Sequence, residues 1–203
     1  MKHKLITIYC SILMLLSTAV MGQKYKNPNY IDYTLAVKTN PGAALLGNIN
    51  VAGELLINPE YKKVPLTLNL PVSYNPFTYS NNVKMKHIAF QPELRMWFNR
   101  PFRDFFLGVH AHYAYYNAGG LSGFSTNLKE HRYQGNLFGT GISGGYKQML
   151  GDALGLEASL GYGYARMAYD EFRCAKCGTK TDTAVRNYFG LTKASITIVY
   201  MVR

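Results

Sequence analysis

The chain has 203 residues, of which 16% are charged and 14% aromatic, with 17 tyrosines, 19 glycines and a formal net charge of +11. A soluble domain of this size normally carries about a quarter charged residues, so an ordinary water-facing globule is disfavoured. The basic residues are scattered rather than gathered in one tract, which argues against a nucleic-acid partner.

The first element in chain order is an export signal. Lys2 and Lys4 form a basic start, LITIYCSILMLLSTAV supplies an apolar stretch, and VMG before Gln23 offers small residues to a signal peptidase. A membrane-anchoring helix is the competing reading, but the apolar run is short and no stop-transfer charges follow it. Cys10 lies inside that run without the context of a lipoprotein cleavage site. The expected division is a signal peptide at 1–22 and one domain at 23–203. Setting Lys2 and Lys4 aside leaves that domain with a net charge of +9.

Eight segments of period near two follow, at about 33–40, 48–58, 64–75, 85–98, 104–116, 133–147, 153–167 and 187–201. NPEYKK, NRPFRD and QMLGDA are tight connections, while those near 76–84, 117–132 and 168–186 are longer. PGAALLG, after the first segment, is short where a long loop is expected. No later apolar stretch is long enough for a membrane helix. Short turns at one rim and long loops at the other are the layout of an outer-membrane barrel. The expected fold is all-β, an eight-stranded antiparallel up-and-down transmembrane β-barrel.

Alternation along each segment sorts its residues between two faces. Phe105, Leu107, Val109, Ala111, Tyr113 and Tyr115 oppose Asp104, Phe106, Gly108, His110, His112 and Ala114. Leu154, Leu156, Ala158, Leu160, Tyr162 and Tyr164 oppose Gly155, Glu157, Ser159, Gly161 and Gly163. The second face is small or polar with few charges, a poor surface for water but a good filling for a narrow lumen. The apolar face is therefore expected to meet lipid. Tyr74, Tyr113, Tyr115, Tyr162, Tyr164 and Tyr188 are placed near the long-loop rim, and Phe98, Phe105, Tyr146 and Tyr200 near the short-turn rim.

On this register Lys38, Glu54, Glu93, Arg95, Glu157 and Lys193 point inward together with His110 and His112. Three bases and three acids in a narrow interior are expected to interlock as ion pairs and hydrogen bonds. His-x-His on one strand face is also a metal-site pattern, with Glu93 or Glu157 as third ligand. A catalytic histidine calls for a serine and an acid beside it, and no serine sits in a diagnostic motif. No cofactor and no catalytic residue is expected. Cys174 and Cys177, in EFRCAKCGTK, fall in the longest loop after export to an oxidising compartment, where a disulfide pinching the loop is the favoured reading over free thiols or metal. The glycines of GTGISGGY and GLEASLGYGYAR lack the GKS/T ending of a phosphate loop and suit lumen packing.

LAVKTN, QPELRMWF, FFLGVHAHYAYYNAGG, RYQGNLFGTGISGGY, LEASLGYGYARMAYDEF and NYFGLTKASITIVY together resemble the strands of an uncharacterised outer-membrane barrel family. Its members are small exported domains often encoded near fimbrillin-type pilus genes. The departure is in the first hairpin, NPGAALLGN. The resemblance implies a cell outer-membrane location in a Gram-negative envelope, with lipid and lipopolysaccharide as neighbours and a surface or fimbrial protein as partner. It carries no catalytic residues. The function expected is non-enzymatic, structural or surface-interacting, with a lipid-modifying enzyme or a small pore as the alternatives.

Overall fold

The computed structural model describes residues 33–45, 47–58, 64–79, 83–120, 131–173 and 178–202. The expected signal segment at 1–22, and both Cys174 and Cys177, lie outside the described residues. Nine antiparallel strands form one sheet: β1 (Leu35–Thr39), β2 (Ile49–Leu56), β3 (Leu66–Asn75), β4 (Lys84–Phe90), β5 (Glu93–Trp97), β6 (Asp104–Gly119), β7 (Arg132–Met149), β8 (Leu154–Phe172) and β9 (Lys180–Val202). β1–β2, β2–β3, β6–β7, β7–β8 and β8–β9 pair as sequence neighbours, β4 and β5 each pair with both β3 and β6, and β9 returns to β1. The pairings thus run in a closed ring.

The strand count differs from the expected eight because the segment at 85–98 is interrupted at Gln91 and Pro92. Proline has no N–H to give to a ladder, and here the neighbouring β3 also carries a proline, Pro71, whose carbonyl accepts the Gln91 N–H at 3.2 Å. Face parity survives the break. Ile88 and Phe90 before it, and Leu94, Met96 and Phe98 after it, are all exposed.

A second difference is a short helix, α1 (Pro41–Leu45), between β1 and β2. The Asn40 side chain accepts a hydrogen bond from the Ala43 N–H at 3.1 Å, and Pro41 takes the first helical position, where its missing N–H costs nothing. Gly47, with φ of 73°, ends the turn in the left-handed region that glycine enters freely. A third difference is length. β8 and β9 continue to Phe172 and back from Lys180, through residues expected to be loop.

The faces divide as the alternation requires, but inside out relative to a soluble protein. Leu107, Val109, Ile142, Leu160, Phe189 and Ile196 are each at least half exposed, whereas Lys38, Glu54, Glu93, Arg95, Lys147 and Glu157 are all 3% exposed or less. The apolar packing that exists lies at the short-turn end. There Phe102, from the turn between β5 and β6, enters the interior against Ala36, Val199 and Met201. Its φ of 62°, unusual for a bulky side chain, is the backbone geometry with which the turn carries the ring inward. Among the described residues, no helix is long and apolar enough to cross a membrane.

Candidate functional site: the charged interior

The interior is built from the short-turn end upward. Trp97, 1% exposed, lies beside Phe102 and Phe106 with ring centroids 6.2 and 5.0 Å away. Its indole N–H donates to Thr67 Oγ1 at 2.9 Å, and the Thr67 hydroxyl donates to Glu54 at 2.6 Å. This small relay joins the aromatic floor to the charges above it. The Arg95 guanidinium lies 4.2 Å from the centre of the Phe106 ring, and Lys147 Nζ 4.9 Å from that of Trp97. Cations over aromatic faces recover part of the hydration they lose.

Three carboxylates hold the centre. Glu54 pairs with Lys38, with Lys147 at 3.0 Å and with Arg95 at 3.3 Å. Glu157 pairs with Lys38 at 2.8 Å, Arg95 at 3.0 Å and Lys147 at 3.3 Å. Glu93 takes Arg95 at 2.7 Å and Lys193 at 2.5 Å, and accepts hydrogen bonds from Ser143 and from the Asn69 amide. An isolated buried charge is prohibitive, so each must be paired and hydrogen-bonded. The network meets that condition by sharing: Lys38, Arg95 and Lys147 each bridge two or more carboxylates.

The sequence-derived set Lys38, Glu54, Glu93, Arg95, Glu157 and Lys193 therefore converges. His110 and His112 face the same interior, 3% and 9% exposed, with rings 5.6 Å apart. His110 Nε2 lies 3.0 Å from Thr192 Oγ1. Both rings lie over glycines. A Cβ on Gly141 would sit 2.8 Å from His110 Nε2, and one on Gly161 would sit 3.0 Å from the same ring. Gly139, under His112, and Gly141 and Gly161, under His110, thus leave the space the imidazoles occupy. Among the described residues, no three of His, Cys, Asp and Glu stand together as metal ligands, and Glu93 is already engaged by Arg95, Lys193, Ser143 and Asn69.

The set read from the sequence lacks Lys147, Trp97, Ser143, Thr67 and Thr192, all of which the structure brings to the interior. Lys147 shares parity with Ser143 and Gly145, and Trp97 with Glu93 and Arg95, so alternation marks them. Thr192 has no such mark. It sits at a register shift between Gly161 and Tyr162 of the facing strand, where β9 carries one extra residue. A bulge re-aims a side chain against the simple alternation, and here it turns the hydroxyl toward His110.

Fold and interior together define an all-β class: a closed antiparallel sheet with an apolar outside and an ion-paired inside. The chain belongs to the family described as "Protein of unknown function (DUF3575)", which matches residues 7–202. A search among curated proteins and a search among solved structures each find no match.

Proposed function

We propose that this chain is a transmembrane β-barrel of the Gram-negative outer membrane, exported by its first 22 residues, with β4 and β5 forming one of eight staves. Its role is structural and surface-interacting. The packed polar interior makes it a rigid mount, and the long connections present a surface to proteins outside. Fimbria assembly or anchoring is the process to which the family resemblance points.

The observation that carries this reading is the inversion of the faces. Charges are sealed inside while leucine, isoleucine, valine and phenylalanine cover the outside, and lipid is the solvent that such a surface suits. The aromatics agree. From Phe105 to Tyr115, at about 3.3 Å per residue and a tilt of roughly 40°, the rise is about 25 Å, the height of the apolar band. The Phe105 and Tyr146 rings meet at the lower level, centroids 4.7 Å apart and tilted by 56°. Lys84 and Arg132, both paired with Gly119 at the opposite rim, supply cations where lipopolysaccharide phosphates lie. A pore is the weaker reading, because the bridging ion pairs occupy the interior.

The test is insertion. The protein should fold into phospholipid vesicles and remain insoluble without detergent or lipid. Val109→Arg and Ile142→Arg, register partners near mid-band, should each cost about 2–4 kcal/mol of folding free energy there. A water-soluble wild-type monomer that tolerates both substitutions would overturn the membrane assignment.

A further inference from the structure

One polar pair stands apart from the ion network. Ser73 on β3 and His87 on β4 face the interior nearer the long-loop rim, with Ser73 Oγ 3.1 Å from His87 Nε2. His87 Nδ1 lies 3.1 Å from the Met85 carbonyl oxygen. A carbonyl can only accept, so Nδ1 carries the proton and Nε2 presents its lone pair to the serine. The tautomer is the one a general base needs. Asn48 Oδ1 lies 2.8 Å from the same Ser73 oxygen. Ser73 has one proton to give, so its hydroxyl donates either to Asn48 or, in the reactive arrangement, to His87 Nε2.

The position of this pair in the wall matters as much as its chemistry. β1 accompanies β9 only as far as the Thr39–Ile198 pair, and it accompanies β2 only over Ala52–Leu55. Above that level β2 continues to Ile49 and β9 to Lys180, each held by a strand on its other side. Among the described residues no strand joins them there. In place of a strand stands α1, packed against both β2 and β9. Asn50, the cross-strand neighbour of Ser73, is on the bare stretch of β2. Asn48 is tied to the helix by its N–H, which donates to the Ala43 carbonyl at 3.0 Å. A separate groove of about 1140 Å³ runs from Gly42 and Ala43 of α1 across Ala194, Ile196, Leu160 and Leu107 toward Phe98 and Tyr146 at the short-turn rim, and Ser73 and His87 do not line it.

We propose that Ser73 and His87 form a hydrolytic pair acting on carboxylic esters of membrane lipids, reached through the seam that α1 covers. Ser73 Oγ attacks the ester carbonyl carbon as its proton passes to His87 Nε2. The carbon–oxygen bond to the alcohol breaks, and His87 returns the proton to that leaving oxygen. Water, deprotonated by His87, then cleaves the acyl-serine, releasing a fatty acid and restoring the hydroxyl. The Met85 carbonyl orients the imidazole, the task that a carboxylate has in other serine–histidine sites. This departs from the expectation of no catalytic residue, since neither residue lies in a sequence motif. The choice of lipid as substrate rests on the membrane reading above, whereas the serine's reactivity does not.

The experiment is covalent labelling of the full mature chain, folded in detergent micelles, with a fluorophosphonate probe, read by mass spectrometry. An adduct on Ser73 is expected, absent in Ser73→Ala and formed at least ~100-fold more slowly in His87→Gln. Folding of each variant is checked by its heat-modifiable gel mobility. If His87→Gln does not fold, the paired measurement is alkylation of Ser73→Cys, expected to be faster at pH 7 than that of Cys placed at Ser195. Folded wild-type protein with no Ser73 adduct, labelling equal in His87→Gln, or equal alkylation at both cysteines would overturn the pair. Mixed-micelle assays should show phospholipid esters cleaved and a short water-soluble ester hardly at all. Equal turnover of the two overturns the lipid assignment while leaving the reactive serine in place.

Discussion

Replacing Glu54 by Gln tests the interior at its most connected point. Glu54 is fully buried and faces Lys38, Lys147 and Arg95, all of them also buried. The described interior holds three carboxylates against Lys38, Arg95, Lys147 and Lys193, so it already carries one excess positive charge, and the substitution raises that to two. Breaking a buried ion pair by removing one partner costs about 3–5 kcal/mol. Gln keeps an oxygen to accept the Thr67 hydroxyl, which sets the expectation at the lower end, about 3 kcal/mol, or roughly a 150-fold shift in the unfolding equilibrium. Trp97, the single tryptophan, reports directly because its indole is two hydrogen bonds from Glu54. Urea unfolding in lipid vesicles, followed by its fluorescence, gives the number. Adding Lys147→Met to Glu54→Gln should recover about 1–3 kcal/mol, since it returns the interior from two excess positive charges to one. A single-mutant cost below about 1 kcal/mol, typical of an exposed pair, would refute the view that these charges are sealed from water.

The histidines should be packing groups. His110→Gln with His112→Gln is expected to leave the protein folded with a modest stability loss, checked by the same unfolding assay, while a bound metal lost on substitution would reopen the ligand reading. Gly141→Ala should destabilise by about 1–3 kcal/mol, because its Cβ meets both the His110 ring and the Tyr162 carbonyl, 2.6 Å away; combining it with His110→Ala should recover part of that loss. Cys174 and Cys177 should resist thiol labelling in protein taken from the cell envelope until reductant is added.

Much of this was legible because a strand's side chains alternate strictly. Given one confident residue such as Leu107, parity assigns Phe106, His110 and His112 to the inside, and one buried face then pins the register of each neighbour. What escaped has specific causes. Thr192 is hidden by a bulge, which alternation cannot represent. Lys147 shares the inward parity but stands last in its segment, next to the QMLGDA turn, where a lysine equally suits the water-facing rim. The extra length of β8 and β9 is invisible because Lys180–Thr183 and Val185–Phe189 are exposed whichever face they occupy, so no polar–apolar contrast develops. The helix at 41–45 had signals, Asn40 before Pro41 and Gly47 after, but one turn is too short to show a period. The Ser73–His87 pair joins β3 to β4 diagonally, a proximity that pairing register reveals and sequence spacing does not.

The distribution of the buried charges along the chain bears on how the molecule assembles. Lys38 and Glu54 belong to one hairpin, Glu93 and Arg95 to one strand, and Lys147 and Glu157 to another hairpin. Each unit is born neutral, so it can leave water with its own counter-ion before any distant strand arrives, and ring closure adds partners rather than delivering bare charges. Lys193 is the exception. Its acid, Glu93, comes from a strand 100 residues earlier and lies 2.5 Å away only once β9 is in place. The final strand therefore carries a cation that nothing nearby in the chain neutralises, and its docking against Glu93 is the step that tells a complete ring from an incomplete one.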